Sequence, residues 1–202
     1  MPKECLLQYE SRRNSACLVQ TPQGLAVRKT FREVGSFQRE LEIYSLLQGK
    51  DVPCARVLRA EERTLLLTCL PGKNLVECLQ QQEQTGCIQW TVWEKLAAWL
   101  TAFSRHTGLV MTDVNLRNFL YDEKTKTLYG LDFEECQTGT MLIPAATLAA
   151  YIRTYRPENT LLKQEISQYV LDLFASSCGL DGEALKRESG WQEERLLQRR
   201  KK

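Results

Sequence analysis

Residues 111–120 read MTDVNLRNFL and residues 131–134 read LDFE, and these two stretches decide how the chain is interpreted. Between them, over 119–131, lie two strand-like pieces joined by a polar turn. Short apolar runs separated by turn residues are typical of paired strands, so we predict a β-hairpin here. A hairpin would bring Asn118 and Asp132, which stand at its two open ends, close together.

Three polar side chains in these stretches suit phosphoryl transfer from Mg·ATP to a hydroxyl. Magnesium takes hard oxygen ligands, and the transfer needs a carboxylate that orients the attacking hydroxyl. Asp113 would be that carboxylate. Asn118 and Asp132 would hold the metal.

The order of these residues resembles the catalytic loop of the protein-kinase-like superfamily. Its small-molecule branch, which includes the aminoglycoside phosphotransferases, often has H-G-D-x-N-x-x-N followed by a D-x-E ending, and Asp113, Asn115, Asn118 and residues 132–134 are similar to this pattern. The RIO kinases and the small kinase of the tRNA-modifying KEOPS complex are similar compact variants. The resemblance covers residues 15–155. It implies a bilobal α+β kinase-like fold that uses ATP and Mg²⁺.

The resemblance also requires a lysine on the third strand that holds the ATP phosphates. A strand is predicted over residues 25–31, as the second arm of a hairpin over 16–31, and its alternation places Lys29 on the same face as Val27. Lys29 is therefore the favoured phosphate ligand. Arg28 remains the alternative, because it also fits the spacing of the family motif.

A helical glutamate should pair with this lysine. A helix is predicted from Ser36, as its N-cap, to about Gln48. Its apolar residues form one stripe: Phe37, Leu41, Tyr44 and Leu47. At 100° per residue Glu40 falls inside the stripe and Glu42 outside it. A carboxylate on a buried face needs a partner, and we expect it to be Lys29.

Residues 65–75, LLLTCLPGKNL, resemble the hinge segment of the aminoglycoside phosphotransferase branch. The resemblance implies that the backbone at Thr68 and Leu70 meets the adenine edge. Leu67 would lie near the back wall of the adenine pocket.

The composition shifts near residues 71–72 from strand-like to helical patterns. We therefore predict a small sheet-rich N-lobe with one helix over residues 1–70. A reduced helical C-lobe carrying the catalytic loop would follow over residues 71–202.

Three features depart from the family pattern and keep other functions open. Met111 stands where the family has histidine, Thr112 replaces the usual glycine or arginine, and residues 11–17, SRRNSAC, lack a glycine-rich loop. They motivate a pseudokinase or nucleotide-binding regulatory module as the alternative. A RIO- or KEOPS-like RNA-associated protein kinase is a further alternative, motivated by the small size and the basic tail over 195–202.

Composition excludes some classes of protein. The 27 Lys and Arg residues balance 25 Asp and Glu residues, which argues against a protein built mainly to neutralise nucleic acid, although contact through the tail stays an alternative. No stretch has the length and apolar character of a membrane span or a secretory signal. The eight cysteines are scattered and the single histidine leaves few zinc ligands, so we expect reduced thiols in a cytoplasmic protein. The acceptor, a small molecule or a protein, and the oligomeric state are not readable.

Overall fold

The N-terminal part is a five-stranded antiparallel sheet packed against one helix. The computed structural model of the protein describes residues 4–9 and 13–200. The strands and the helix are β1 (Leu7–Tyr9), β2 (Ser15–Thr21), β3 (Gly24–Thr30), α1 (Val34–Leu47), β4 (Val57–Glu61) and β5 (Thr64–Thr68). The sheet order is β1-β2-β3-β5-β4, and every neighbouring pair is antiparallel. The β2–β3 register, from Ser15–Thr30 to Thr21–Gly24, confirms the predicted hairpin.

The C-terminal part is mostly helical. Its elements are β6 (Lys73–Asn74), α2 (Leu75–Thr85), α3 (Trp90–Thr107), β7 (Val110–Met111), a 3-10 turn (Leu116–Asn118), β8 (Phe119–Asp122), β9 (Thr127–Gly130), β10 (Cys136–Gln137), α4 (Leu142–Thr154), α5 (Leu161–Cys178) and α6 (Gly182–Arg200). Strands β8 and β9 pair antiparallel as the sequence predicts. The α+β architecture, with a sheet-rich N-terminal part and a helical C-terminal part, is therefore confirmed. Among the described residues, no helix combines the length and the apolar character that crossing a membrane requires.

An aromatic core holds the β8–β9 hairpin against α3. Phe103, Phe119 and Phe133 are fully buried around Trp99, whose ring stacks on Phe103 with centroids 5.4 Å apart. The Trp99 indole donates to the carbonyl oxygen of Pro53 at 2.8 Å, which ties the core to the segment that follows α1. The Trp99 ring also fills the space that a Cβ on Gly130 would need. This packing sets the position of the chain just before Asp132.

Helix boundaries differ from the sequence prediction in two places. Helix α1 begins at Val34 rather than after Ser36, because the Phe37 amide already donates to the Glu33 carbonyl at 3.2 Å. Helix α2 was not predicted at all. The sequence does carry a signal for this helix, because Asn74 is a preferred N-cap residue. In the structure its side-chain oxygen accepts from the amides of Val76 and Glu77 at 3.0 and 3.1 Å.

Candidate functional site

Lys29 is the cation that β3 turns toward the helical part of the molecule. The period-two alternation of the strand puts its side chain on the face that α1 covers, and only 11% of it is exposed. Arg28 points to the opposite face, where the small apolar cluster of Cys17, Val19, Ala26 and Leu66 lies. The structure thus turns Lys29, and not the alternative Arg28, toward the space between the sheet-rich and the helical parts, which is called the cleft below.

Glu40 of α1 meets Lys29 as a buried ion pair. Its Oε2 lies 2.7 Å from Lys29 Nζ, and the residue is fully buried in the apolar stripe of the helix. Burial would lower the pKa of Lys29, but the carboxylates of Glu40, Asp132 and Glu134 outweigh it and raise that pKa. Burial raises the pKa of Glu40 to about 7 although Lys29 opposes the shift. The two groups therefore stabilise each other's charge in a site that penalises both.

Two more carboxylates reach the same lysine from the segment after β9. Asp132 Oδ1 and Glu134 Oε1 each lie 2.9 Å from Lys29 Nζ. Asp132 has a φ of +59°, a left-handed conformation that is uncommon for a residue with a Cβ. Phe133 between them is fully buried, with its ring 5.1 Å from that of Tyr44. Alternation along this segment thus anchors one side chain in the core and sends its two neighbours into the cleft.

The loop over 112–118 is held by hydrogen bonds rather than by a histidine. Met111 is buried and pairs with Cys136 across β7 and β10. Both the amide and the hydroxyl of Thr112 donate to the Glu135 carbonyl, at 2.9 and 3.0 Å. The loop is therefore fastened directly to the segment that follows Asp132.

Asp113 and Asn118 occupy the two ends of this loop. The side-chain amide nitrogen of Asn118 donates to the backbone carbonyl of Asp113 at 3.0 Å. The Leu131 amide donates to the Asn118 carbonyl at 2.8 Å, which places Asn118 beside the residue that precedes Asp132. The hairpin thus places Asn118 opposite Leu131 at its open end, as its register implies.

Two tyrosines of α4 and its C-cap contact the loop from the helical side. The Tyr151 hydroxyl donates to Asp113 Oδ1 at 3.2 Å, and the Tyr155 hydroxyl donates to Asn115 Oδ1 at 2.6 Å. Burial, followed by the charge of Asp113, raises the pKa of Tyr151 above its usual range. The phenol therefore stays a hydrogen-bond donor at neutral pH.

The predicted hinge lies at the end of β5, next to Val27 of β3. Leu67 is buried opposite Val27 in the ladder. The Thr68 amide already donates to the Arg56 carbonyl at 3.0 Å. Among the described residues, none hydrogen-bonds to the backbone of Leu70, so its polar groups are free to meet a ligand.

Three carboxylates of the cleft surround the Lys29 ammonium, and Asp132, with the most exposed side chain of the three, is the one that suits a magnesium ligand. Glu40, Asp132 and Glu134 each present an oxygen, and these oxygens lie within 4.8 Å of one another. Within the described part of the chain, Glu40 Oε1 is buried and has no hydrogen-bond partner. Carboxylate oxygens are ligands that Mg²⁺ prefers. The sequence predicts Asn118 as the other ligand, through its side-chain oxygen, because its backbone carbonyl already accepts from the Leu131 amide.

Sequence reasoning missed the roles of Glu134 and Tyr151. Glu134 stood in the quoted D-x-E stretch, and that spacing was a usable signal for a second carboxylate. Glu134 also accepts a hydrogen bond from Asn14, which lies just before β2. Nothing in the sequence around Tyr151 indicated that its hydroxyl meets Asp113. The stretch over 11–17, which lacks the glycine-rich loop of the family, includes Ser11 and Arg12, and these two residues lie outside the described ones.

Comparison with known proteins supports the fold. No protein-family model matches this chain, and no curated protein matches it in sequence. Among solved structures, it is similar to WbdD, solved as a co-crystal with the kinase inhibitor LY294002. The TM-score is 0.62 at 15% identity, over 95% of this chain and 46% of that one. The chain thus spans about half the length of this structural neighbour, and the likeness extends over both parts of its fold.

Proposed function

We propose that this protein is an ATP-dependent phosphotransferase that transfers the γ-phosphoryl group to a hydroxyl. The observation that carries the proposal is the convergence on Lys29 of Glu40 from α1 and of Asp132 from the end of the hairpin. An ion pair of this kind between a third-strand lysine and a helical glutamate is part of the machinery of protein kinases. The kinase-inhibitor complex of the structural neighbour agrees with this reading.

Each residue has a role that follows from its chemistry. Glu40 orients Lys29, and Lys29 contacts the α- and β-phosphates. Asn118 and Asp132 hold Mg²⁺, which when bound offsets the charge on the phosphates. Leu67 covers the back of the adenine. The backbone of Leu70 and the carbonyl of Thr68, whose amide is bonded to Arg56, meet its edge.

Asp113 positions the hydroxyl group of the acceptor. Its carboxylate accepts a hydrogen bond from the acceptor hydroxyl and aims that oxygen at the γ-phosphorus. A bond forms from the acceptor oxygen to the phosphorus as the bond to the β–γ bridging oxygen breaks. ADP leaves with that electron pair, and the acceptor proton passes to Asp113 and then to solvent.

One observation favours a second candidate, a pseudokinase that binds a partner or a nucleotide without transfer. Glu134 forms an ion pair with Lys29 Nζ, the atom that would contact phosphate. Asn14 also donates a hydrogen bond to Glu134. A nucleotide must displace or share this contact. The absence of the family histidine at Met111 points the same way.

The two candidates are separated by melting the protein with ATP, with and without Mg²⁺, and by incubating it with γ-labelled ATP and a panel of hydroxyl compounds. A phosphotransferase shows a Mg²⁺-dependent rise in melting temperature together with label transfer. A rise without transfer supports the pseudokinase. No rise at millimolar nucleotide contradicts both.

The RNA-associated alternative rests on the basic tail. Arg199 and Arg200 are exposed, and the Arg200 guanidinium donates to the Thr154 carbonyl, while Lys201 and Lys202 lie outside the described residues. Salt-sensitive RNA binding would support this alternative. The cytoplasmic location stays a prediction, and all eight cysteines are free thiols in the structure.

A further inference from the structure

The Lys29 ammonium group meets as many carboxylates as it has hydrogens. An ammonium group carries three N–H donors. Three carboxylate oxygens lie within hydrogen-bond distance of Lys29 Nζ: Oε2 of Glu40 at 2.7 Å, and Oδ1 of Asp132 and Oε1 of Glu134 at 2.9 Å each. The number of acceptors thus equals the number of donors. A phosphate oxygen can therefore reach Lys29 only if a carboxylate leaves it.

The three carboxylates differ in how readily they can leave. Glu40 is fully buried on α1, so without Lys29 its charge would stay unpaired in the core. The Asp132 side chain is 46% exposed, and in the proposed reaction it turns to the metal and frees one donor. Contact with both the α- and the β-phosphate takes two donors. The second donor must come from Glu134.

Glu134 is held on Lys29 by a second hydrogen bond. Its side chain is only 8% exposed, and the oxygen that meets Lys29 also accepts from the Asn14 side-chain amide. Asn14 is anchored in turn, because its side-chain oxygen accepts from the Arg32 amide at 3.2 Å. The main chain beside Glu134 is fixed by Phe133, which is fully buried. The fold thus holds a carboxylate at the atom that would contact the phosphates.

This contact also fastens the two parts of the fold to each other across the cleft. Lys29 and Asn14 belong to the sheet-rich part, whereas Glu134 follows the β8–β9 hairpin of the helical part. An exposed ion pair between Arg13 and Glu135 runs beside it. Both contacts join the same two segments, but only the one at Glu134 uses the phosphate-binding lysine. Glu135 therefore offers a matched control.

We propose that Glu134 is a built-in competitor of the nucleotide, which Asn14 holds on Lys29 until the phosphates displace it. This proposal rests on the proposed phosphotransferase function and adds regulation to the same site. No covalent step is added, because the exchange replaces one charge-assisted contact of Lys29 by another. The apparent affinity for the nucleotide is reduced by the fraction of molecules in which Lys29 is accessible. Weakening the Glu134 contact should therefore raise that affinity.

Binding is measured on the full chain by calorimetry, with ATP and with adenosine, each in the presence and in the absence of Mg²⁺. Glu134→Gln removes the charge of the competitor. Asn14→Ala keeps that charge and removes the hydrogen bond that holds it. Glu135→Gln is the matched control, since it loosens the neighbouring ion pair with Arg13 and leaves the contacts of Lys29 in place. Melting temperatures without ligand check that each variant folds.

ATP affinity should rise about tenfold in Glu134→Gln and about threefold in Asn14→Ala, with and without Mg²⁺, and stay unchanged in Glu135→Gln. Adenosine, which has no phosphate, should bind all four proteins equally. Unchanged ATP affinity in Glu134→Gln overturns the proposal, and so does a gain that adenosine shares. A loss that appears only with Mg²⁺ also overturns it, because Glu134 would then be a metal ligand.

The role of Asn14 is tested separately from that of Glu134. A gain in Glu134→Gln without one in Asn14→Ala overturns the holding role of Asn14 and keeps Glu134 as the competitor. If Glu134→Gln does not fold, the ATP affinity of Asn14→Ala decides alone.

Label transfer is scored independently of binding. If ATP binds more tightly to Glu134→Gln but no protein transfers label, the phosphotransferase fails, whereas the competition for Lys29 stands. If label is transferred and Glu134→Gln binds ATP no better than the unmodified protein, the competitor fails and the phosphotransferase stands. No binding of ATP to any of the proteins at millimolar concentration contradicts both.

Discussion

The Tyr151 hydroxyl donates to Oδ1 of Asp113 over 3.2 Å, so a phenol of this chain already engages one oxygen of the proposed catalytic carboxylate. The second oxygen is the one left for an acceptor hydroxyl. The contact makes Tyr151 a positioning residue, since it acts on the acceptor only through Asp113.

Replacing Tyr151 by phenylalanine should lower kcat for label transfer about threefold to tenfold, because one hydrogen bond to a carboxylate is lost. KM for ATP should not change. Tyr169→Phe is the control, since Tyr169 donates to Glu94 at 2.7 Å in the same way but far from the loop. Equal kcat values for the two variants would contradict the role of Tyr151.

Replacing Asp132 by asparagine should lower Mg·ATP turnover at least about 100-fold, because the change removes the proposed metal ligand and its charge. The melting temperature without nucleotide should stay close to that of the unmodified protein. Asp122→Asn is the matched control at the closed end of the same hairpin. Asp122 accepts from the Lys124 amide and the Thr125 hydroxyl, so its variant should lose stability and keep turnover. Unchanged turnover in Asp132→Asn would defeat the metal assignment.

Replacing Lys29 by methionine should lower the free energy of unfolding by about 3 kcal/mol, because it leaves Glu40 buried without its partner. The double variant with Glu40→Gln should lose less than the sum of the single variants, as a coupled pair requires. Urea unfolding of the four proteins measures this coupling. The exposed Arg59–Glu61 pair is the control, and Arg59→Gln should cost about 0.5 kcal/mol or less. Strict additivity for Lys29 and Glu40 would contradict their coupling.

The stability that Glu40 contributes should depend on pH in a defined direction. Its pKa is raised from 4.5 to about 7, so the folded state binds more protons than the unfolded state between these values. This contribution is present in full below pH 4.5 and is lost as pH rises toward 7. Lys29, whose pKa is also raised, stays charged throughout this interval.

Glu40→Gln cannot titrate, so the free energy of unfolding of the unmodified protein, minus that of the variant, should decrease as pH rises through this interval. Urea unfolding at several pH values between about 5 and 7 measures the difference. Parallel pH profiles for the two proteins would show that Glu40 has an ordinary pKa.

Replacing Gly130 by alanine should lower the free energy of unfolding by about 1–3 kcal/mol, because its Cβ would enter the space of the Trp99 ring. Turnover should fall as well, since β9 leads directly to Asp132. Gly190→Ala is the control. Gly190 lies within α6 with open space around it, and alanine there should raise stability by about 0.5–1 kcal/mol. Similar melting temperatures for the two variants would contradict the packing argument.

The sequence predicts those parts of the candidate site in which strand alternation or helical periodicity fixes the direction of a side chain. Strand alternation placed Lys29 on the face of Val27, and helical periodicity placed Glu40 in the apolar stripe of α1. The hairpin between Asn118 and Asp132 followed from two short apolar runs and a polar turn. In each case the deciding residues lie within about one element of each other, where backbone geometry limits the alternatives.

Local rules alone did not decide the boundaries of helices. Ser36 is a good capping residue, yet α1 starts before it, because the backbone continues the helix to Glu33 without a side-chain cap. Helix α2 was overlooked although Asn74 and Glu77 form a recognisable cap. Propensity at a helix end is worth only about 1 kcal/mol, which packing of the whole element readily outweighs.

The sequence by itself determined the β2–β3 and β8–β9 hairpins, the strand phase of Lys29 and the buried position of Glu40. Only the tertiary structure decided that Glu134 shares Lys29 with Asp132, that Tyr151 meets Asp113, and that Arg200 of α6 lies over the Tyr155 ring. The physical reason is that these groups come from segments far apart in the chain, such as Lys29 and Asp132, which are 103 positions apart. Their distances depend on how the β8–β9 hairpin, α4 and α6 pack together, and no local period in the sequence carries that information.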